Sequence, residues 1–483
     1  MTRAALMGVG RERGPAGSRQ PVWQAGHVTG TRRTAVVGGG IAGLAAAREL
    51  AAAGDDVVLL EGSPEVGGKL RVAEVAGVTV DVGAEAMLAR RPEGVDLATG
   101  LGLELVHPVT TASRIWTRGA LRPLPRSVMG VPADLDQLAA SGVLSDAGLA
   151  RARAEVAAPA PGHDVSVGDL IATHLGDEVV DRLVEPLLGG VYAGHARSLS
   201  ARATVPQVVA LLDRGPSLVA AAARVPADAP ATPVFAGLAG GVGRLPQVLA
   251  RDGGFAVRTG ATVRAARRTA TGFELTVGPT VAPEAVACDR LVLATPATPT
   301  ARLLADLAPA AAAELAAVEY ASMAVVTLAF RVEDVAGVAA LDEASGFLVP
   351  PVDGRTIKAS TFSATKWGWV REAGAAAGVL LLRTSVGRHR EEAALQRSDE
   401  ELVAVSLADL ADATGLTAAP VDAFVQRWGG GLPQYAVGHL DRVARIRADV
   451  ARVPGLAVCG AAYDGLGIPA CIASARRAVA DLG

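Results

Sequence analysis

The chain has 483 residues, half of them hydrophobic but only 3% aromatic, a length that exceeds one ordinary core and implies two or three interleaved or consecutive domains. A net charge of −3 excludes a general nucleic-acid binder. Three cysteines without CxxC spacing (Cys288, Cys459, Cys471) and seven scattered histidines give no metal-binding pattern and suit a reducing compartment.

In chain order, residues 1–31 lack the continuous apolar core of a signal peptide and read as a disordered tail, or as an over-extended start with Met7 or a later residue as the true one. Ala35–Val37 is a β-branched apolar run. It leads into Gly38-x-Gly40-x-x-Gly43 and an Ala/Leu-rich helix that Gly54 closes, after which a strand at Val57–Leu60 ends on Glu61. Strand, glycine turn, helix, strand and acid together form the dinucleotide-binding βαβ fingerprint. Gly38 permits the tight turn, Gly40 admits a pyrophosphate to the backbone, and Gly43 lets helix and strand pack closely. The helix N-terminus offers N–H donors to phosphate, and Glu61 is placed to accept from ribose hydroxyls. Gly67-Gly68-Lys69 then decides between cofactors. A second glycine pair lets another backbone segment lie on the cofactor, which FAD uses and NAD does not require.

VAEVAGVTVDVGAE reads as a hairpin, and Val109–Pro125 as a strand pair turning at Arg118-Gly119. From Asp134 to Leu212 the pattern is helical, punctuated by Gly and Pro. The apolar stretch Val208–Val225 is interrupted by Asp213, Arg214, Gly215 and Pro216, so no transmembrane helix is expected. After a glycine-rich loop and a helix from about Leu245, strands follow at Ala256–Val263, Gly272–Val277 and Arg290–Ala294. A second set at Met323–Arg331, Thr356–Phe362 and Val379–Val386 suits a substrate wall. The chain ends in a strand (Leu456–Cys459), a loop with Gly465-x-Gly467-Ile468-Pro469, and a helix whose N-terminus can face a flavin edge.

The expected fold class is therefore α/β: a Rossmann-like FAD-binding domain assembled from separated segments, with a mixed-sheet substrate domain and a helical subdomain. Residues 32–88, 234–296 and 450–483 make the first, 89–130 and 297–449 the second, and 131–233 the third. Paired catalytic carboxylates, a Ser/His/Asp pattern and a nucleophilic cysteine are not evident, so no side-chain acid or base is assigned.

Five strings carry a resemblance over nearly the whole chain: LRPLPRSVMGVPAD (Leu121–Asp134), VEPLLGGVYAGHARSLS (Val184–Ser200), IKASTFSATKW (Ile357–Trp367), LPQYAVGHLDRV (Leu432–Val443) and GAAYDGLGIPACI (Gly460–Ile472). With them the chain resembles the FAD-dependent protoporphyrinogen and coproporphyrinogen III oxidases of heme biosynthesis, within the wider flavin amine oxidase superfamily. LARRPE (Leu88–Glu93) and the KW string look closest to the coproporphyrinogen-oxidising, Gram-positive branch.

The resemblance implies non-covalent FAD held by Gly38, Gly39, Gly40, Ile41, Ala42, Gly43, Glu61, Gly62, Gly67, Gly68, Lys69, Val263 (through its backbone), Gly460, Gly467, Ile468 and Pro469. Ala461 stands where many flavoenzymes have an acid, so binding there must rest on backbone amides. For a tetrapyrrole it implies Arg114 and Arg91 as propionate partners, and Gly189 and Gly190 as the place where a flat ring lies against backbone. Arg90, Arg383 and Arg388 are further basic candidates at the rim. The implied reaction is three two-electron oxidations, each passing hydride from a meso carbon to flavin N5, with dioxygen as acceptor and peroxide as by-product. The alternatives are a protoporphyrinogen IX oxidase, an amine oxidase with Tyr463 as one wall of an aromatic cage, and a flavin-binding scaffold without turnover. A cytoplasmic location is expected, compatible with peripheral membrane contact and transient contact with a ferrochelatase.

Overall fold

The computed structural model describes residues 31–226 and 233–483, so the expected N-terminal tail lies outside the described residues save Thr31. Five parallel strands form the first sheet, in the order Ala256–Arg258, Asp56–Leu60, Arg33–Val37, Arg290–Leu293 and Leu456–Val458. They come from distant stretches of chain and read as continuous apolar runs because both faces of the sheet are covered. On one face Val36, Leu59 and Val292 pack against helices Ile41–Ala52, Arg244–Asp252 and Ile468–Asp481. On the other, Ala35, Val37 and Leu291 pack against an antiparallel sheet (Val263–Arg268, Phe273–Val277, Glu284–Cys288). Helices Ala297–Leu304, Pro309–Ala316 and His439–Val450 complete that face.

One strand expectation needs correction. Ala256–Val263 is not a single strand: Ala256–Arg258 joins the parallel sheet, and Val263–Arg268 starts the antiparallel one. Between them Gly260 turns the chain at φ +62°, which lets adjacent apolar residues serve different sheets.

A second, mixed sheet of seven strands runs Asp422–Pro433, Tyr320–Arg331, Val379–Val386, Ile357–Thr361, Gly346–Leu348, Arg114–Thr117, Ala120–Pro123. All its pairs are antiparallel except Gly346–Leu348 with Arg114–Thr117. Helix Asp399–Thr414, started by a Ser398/Glu401 capping box, covers one face through Leu402 and Leu410 against Val326, Leu328, Phe330 and Leu382. The other face looks toward the hairpin Val72–Val75/Val78–Asp81 and the glycine loops of the first sheet.

Residues 135–223 are helical, in short pieces started by Asp134, Ser145, Ser166, Ser200 and Ser217, each accepting from a backbone N–H of its helix. A π-helical turn, Val180–Val184, runs directly into helix Glu185–Tyr192, which carries Gly189 and Gly190. Among the described residues no helix is long and apolar enough to cross a membrane.

Candidate active site

The glycine turn after the first strand is built as its spacing predicts. Gly38 lies at φ +110°, and a Cβ there would stand 2.8 Å from the Ala294 carbonyl oxygen. A Cβ on Gly43 would stand 1.9 Å from the Gly38 oxygen, so helix and turn touch. Gly40 caps helix Ile41–Ala52 with no side-chain partner, and a Cβ on it would meet nothing within 4 Å. The result is a bare helix N-terminus opening on free space, an anion-binding arrangement.

The other expected cofactor residues converge on this turn. Glu61 accepts from the Gly39 N–H at 2.6 Å and the Ser63 N–H at 2.7 Å. Gly67 donates to the Gly39 oxygen at 2.7 Å and bridges Gly40, and a Cβ on Gly68 would lie 3.4 Å from the Gly40 Cα. Gly62 faces Thr262, which brings Val263 alongside Glu61. Gly460 stands beside Ala42 and Ala294, and its N–H meets Ser474 Oγ at 3.2 Å. Gly467 caps helix Ile468–Asp481 without a side-chain partner, with Pro469 in the first turn. The turn, Glu61 and the second glycine pair thus gather at the ends of the parallel strands, which is where open α/β sheets take dinucleotides, and the helix begun by Gly467 packs in the same core as helix Ile41–Ala52.

Lys69 leads from these strand ends to the second sheet, where its Nζ donates to the Gly431 oxygen at 2.6 Å; burial lowers its pKa. Two acids that sequence reasoning did not single out fix the join. Asp81 accepts from the Val242 and Gly243 N–H groups, each at 2.9 Å, and burial, only partly offset by those bonds, raises its carboxyl to about 7. Glu85 lies between Arg383 at 3.0 Å and Lys366 at 2.5 Å. Burial alone would raise its pKa, but the two cations outweigh it and hold the carboxylate below its ordinary range. Arg383 also donates to the Gly83 oxygen at 2.8 Å, so it is an internal tie and not a rim contact.

The inner face of the seven-stranded sheet is where space remains. Cross-strand partners Leu348, Ala359 and Ser385 form one row on it, and Thr361 and Arg383 part of the next. These residues sit in interior strands yet are partly exposed, while their neighbours Ser360, Leu382, Thr384 and Val386 on the opposite face are buried. An internal hollow over small side chains accounts for that alternation. Gly190 closes over it, with its Cβ position 3.5 Å from Leu348 Cδ2; around Gly189 nothing lies within 4 Å.

The arginines fall elsewhere. Arg114 pairs in register with Phe347, and Ile115 with Leu348. Leu348 meets Gly190, so Arg114 belongs to the opposite face, that of Trp116 and Phe347, and forms an outward ion pair with Glu343 at 2.7 Å. This placement puts Arg114 on the face of the sheet away from Gly190. Arg91 precedes helix Pro92–Gly100 and is half exposed, paired with Glu93 at 2.6 Å; Arg90 is exposed. Arg388 is buried and donates to the Val349 oxygen at 3.2 Å, so it too is internal.

Other candidates are quiet. Burial pushes the Cys471 thiol up to about 11 and the Cys288 thiol to about 12, and Cys459 is fully buried, so all three are packing residues. Tyr463 is 1% exposed within the core of the parallel sheet, which withdraws it from an aromatic cage. No cluster of metal-ligand residues occurs among the described residues.

A parallel sheet with a dinucleotide groove, joined to a mixed sheet with an internal hollow, defines a two-sheet dinucleotide-dependent oxidoreductase. Residues 41–483 match the family described as flavin containing amine oxidoreductase. A coproporphyrinogen III oxidase of Mycobacterium tuberculosis is 40% identical over 465 residues, covering 93% of this chain and 96% of that protein. One of Bacillus subtilis is 30% identical, covering 94% and 98%. Among solved structures, an Exiguobacterium chain assigned as a protoporphyrinogen oxidase superposes with TM-score 0.81 at 32% identity, covering 93% of this chain and 98% of its own. A putrescine oxidase at 19% identity and TM-score 0.68 shares the fold, over 94% of this chain and 98% of its own. The chain belongs to the flavin-containing amine oxidoreductase family and is a flavin-dependent oxidoreductase.

Proposed function

We propose that the chain is an FAD-dependent oxidase that converts coproporphyrinogen III to coproporphyrin III in heme biosynthesis, with dioxygen as acceptor and peroxide as by-product. The observation that carries this reading is the hollow bounded by Leu348, Ala359, Ser385 and Gly190 at the end of the dinucleotide groove. Gly189, Gly190, Ala359 and Ser385 leave room there for a ring to approach backbone; the coproporphyrinogen III oxidases related to this chain support the choice of ring.

Bound FAD supplies the two-electron acceptor. The residues named above would hold it: the bare helix ends at Gly40 and Gly467 would face its negative charge, Glu61 would accept from ribose hydroxyls, and Gly67–Lys69 would offer backbone to it. Binding is non-covalent, because the thiols of the region are buried and protonated. Gly189 and Gly190 let the ring approach helix backbone, and the enclosing sheet keeps water from it. The parallel sheet with its covering elements forms the cofactor unit, the mixed sheet the substrate unit, and the helices within residues 135–223 a helical subdomain that carries Gly189 and Gly190. The protein acts in the cytoplasm.

In air, coproporphyrinogen III given to the purified protein should yield coproporphyrin III with peroxide in proportion. Oxidation no faster than the spontaneous reaction would refute the proposal. The Exiguobacterium structure keeps protoporphyrinogen IX as the second substrate to run beside it.

A further inference from the structure

Lys358 is a buried amine without a counter-charge. It sits on strand Ile357–Thr361 at a register irregularity between Ile357 and Ala359, the kind of bulge that re-aims a side chain. Its Nζ donates to the Gly387 oxygen at 3.0 Å and lies 3.8 Å from Met323 Sδ. Among the described residues no carboxylate comes within ion-pair distance of it. Met323 and Ala359 belong to the inner face of the sheet, and Met323 falls one row beyond Leu348, Ala359 and Ser385, so the amine lies beside that row. Both Met323 and Ala359 are partly exposed to the hollow.

Its surroundings do not neutralise it. Arg388 opposes its charge, and Glu391 is the acid that favours it. Glu391 is already 3.6 Å from Arg388, which Glu185 of helix Glu185–Tyr192 and Asp409 of helix Asp399–Thr414 also face. Glu185 is committed to His195 at 2.9 Å and to the Ala196 N–H, and His389 pairs with Glu319 at 3.0 Å. Burial, then Arg388, lowers the Lys358 amine to about 7. An unpaired buried cation is costly and is kept where something arrives to pair with it.

We propose that Lys358 is a substrate-binding residue that receives a propionate carboxylate of the tetrapyrrole at the end of the hollow, with Met323 as the side chain that yields to it. The proposal rests on the tetrapyrrole reading above. A carboxylate beside the amine favours its charged form, so binding takes up a proton wherever the free amine is neutral. Affinity is then level below about pH 7 and falls as pH rises above it, by about tenfold per unit while the free amine alone is titrated.

The experiment is titration of the FAD-loaded enzyme with coproporphyrin III and with its tetramethyl ester between pH 6 and 9. Calorimetry in two buffers of different ionisation enthalpy counts the protons. For the wild type, the expected results are proton uptake at pH 8 and an affinity that weakens with pH for the acid but not for the ester. Lys358→Met should bind the acid about tenfold to a hundredfold more weakly at pH 6.5. It should also lose the pH slope and the proton uptake, and bind the ester as wild type does. The Met variant should melt higher than wild type at pH 6, because it removes an unpaired buried charge, which reports that it folds. Equal affinity and equal proton uptake in Lys358→Met would overturn the proposal. Failure of the wild type to bind either porphyrin would instead overturn the tetrapyrrole reading beneath it.

Discussion

Gly43 shows how one missing side chain holds the cofactor groove open. Its Cβ position lies 1.9 Å from a backbone oxygen that cannot swing away, because Gly38 donates to the Leu60 oxygen at 2.9 Å within the sheet edge. Gly43→Ala must push the helix off the turn, a strain of about 1–3 kcal/mol that falls on the phosphate site. FAD affinity should drop by about tenfold to a hundredfold, read as flavin absorbance per protein after gel filtration; full occupancy would contradict the account. Arg114 makes the opposite case. Its ion pair with Glu343 is solvent-facing, so Arg114→Ala should change unfolding free energy by less than about 1 kcal/mol. The porphyrinogen requirement should not change, and a rise of several-fold would return Arg114 to the site. The arginine is visible in the sequence, but its face is not: a shift of one residue along a strand reverses the side it serves, and register comes from Phe347 and Leu348, more than two hundred positions away.

At the scale of elements, the join between the two sheets depends on Glu85, placed by the hairpin's exit between Lys366 and Arg383. Glu85→Gln leaves two partly buried cations facing a neutral amide and should cost about 3 kcal/mol in denaturant unfolding. The sign of its pH dependence follows from its depressed pKa. The stability Glu85 adds is fully present above its ordinary value of 4.5 and is lost as pH falls toward the lower folded value. The melting temperature of wild type should therefore converge on that of the variant in acid, and parallel curves would contradict the pairing. This cluster was not legible in the sequence: Lys366 stands in the KW string and Arg383 in a basic stretch, but nothing local joins either to Glu85, which is 281 residues from Lys366. Local elements were legible where turn chemistry marks them, as at Arg118-Gly119, where both residues take positive φ. They were obscured where glycine interrupts apolar alternation. Asp422–Pro433 is a long edge strand, yet Gly429, Gly430 and Gly431 hide it.

For the whole molecule, the helical segment matters because it brings Gly189 and Gly190 over the open row of the mixed sheet. Gly190→Val would place its branches against Leu348, whose Cδ2 is already 3.5 Å from the Cβ position, and fill the space above the row. Turnover should fall at least about a hundredfold while FAD stays bound, since no cofactor residue moves; normal activity would remove Gly190 from the hollow. The glycine groove was readable because its chemistry is local. The hollow was readable only in part: its strands and Gly189-Gly190 stand out, but it forms between three distant segments, and residues as ordinary as Ala359 and Ser385 do not show which of them line it. The central claim is that this hollow presents a tetrapyrrole to the flavin. Anaerobic mixing of the FAD-loaded protein with coproporphyrinogen III tests it most directly. With at least three flavins supplied per porphyrinogen, the oxidised-flavin absorbance should fall as the porphyrin band appears, because the full oxidation removes six electrons and each flavin takes two. Flavin that stays oxidised while the porphyrinogen persists would contradict it.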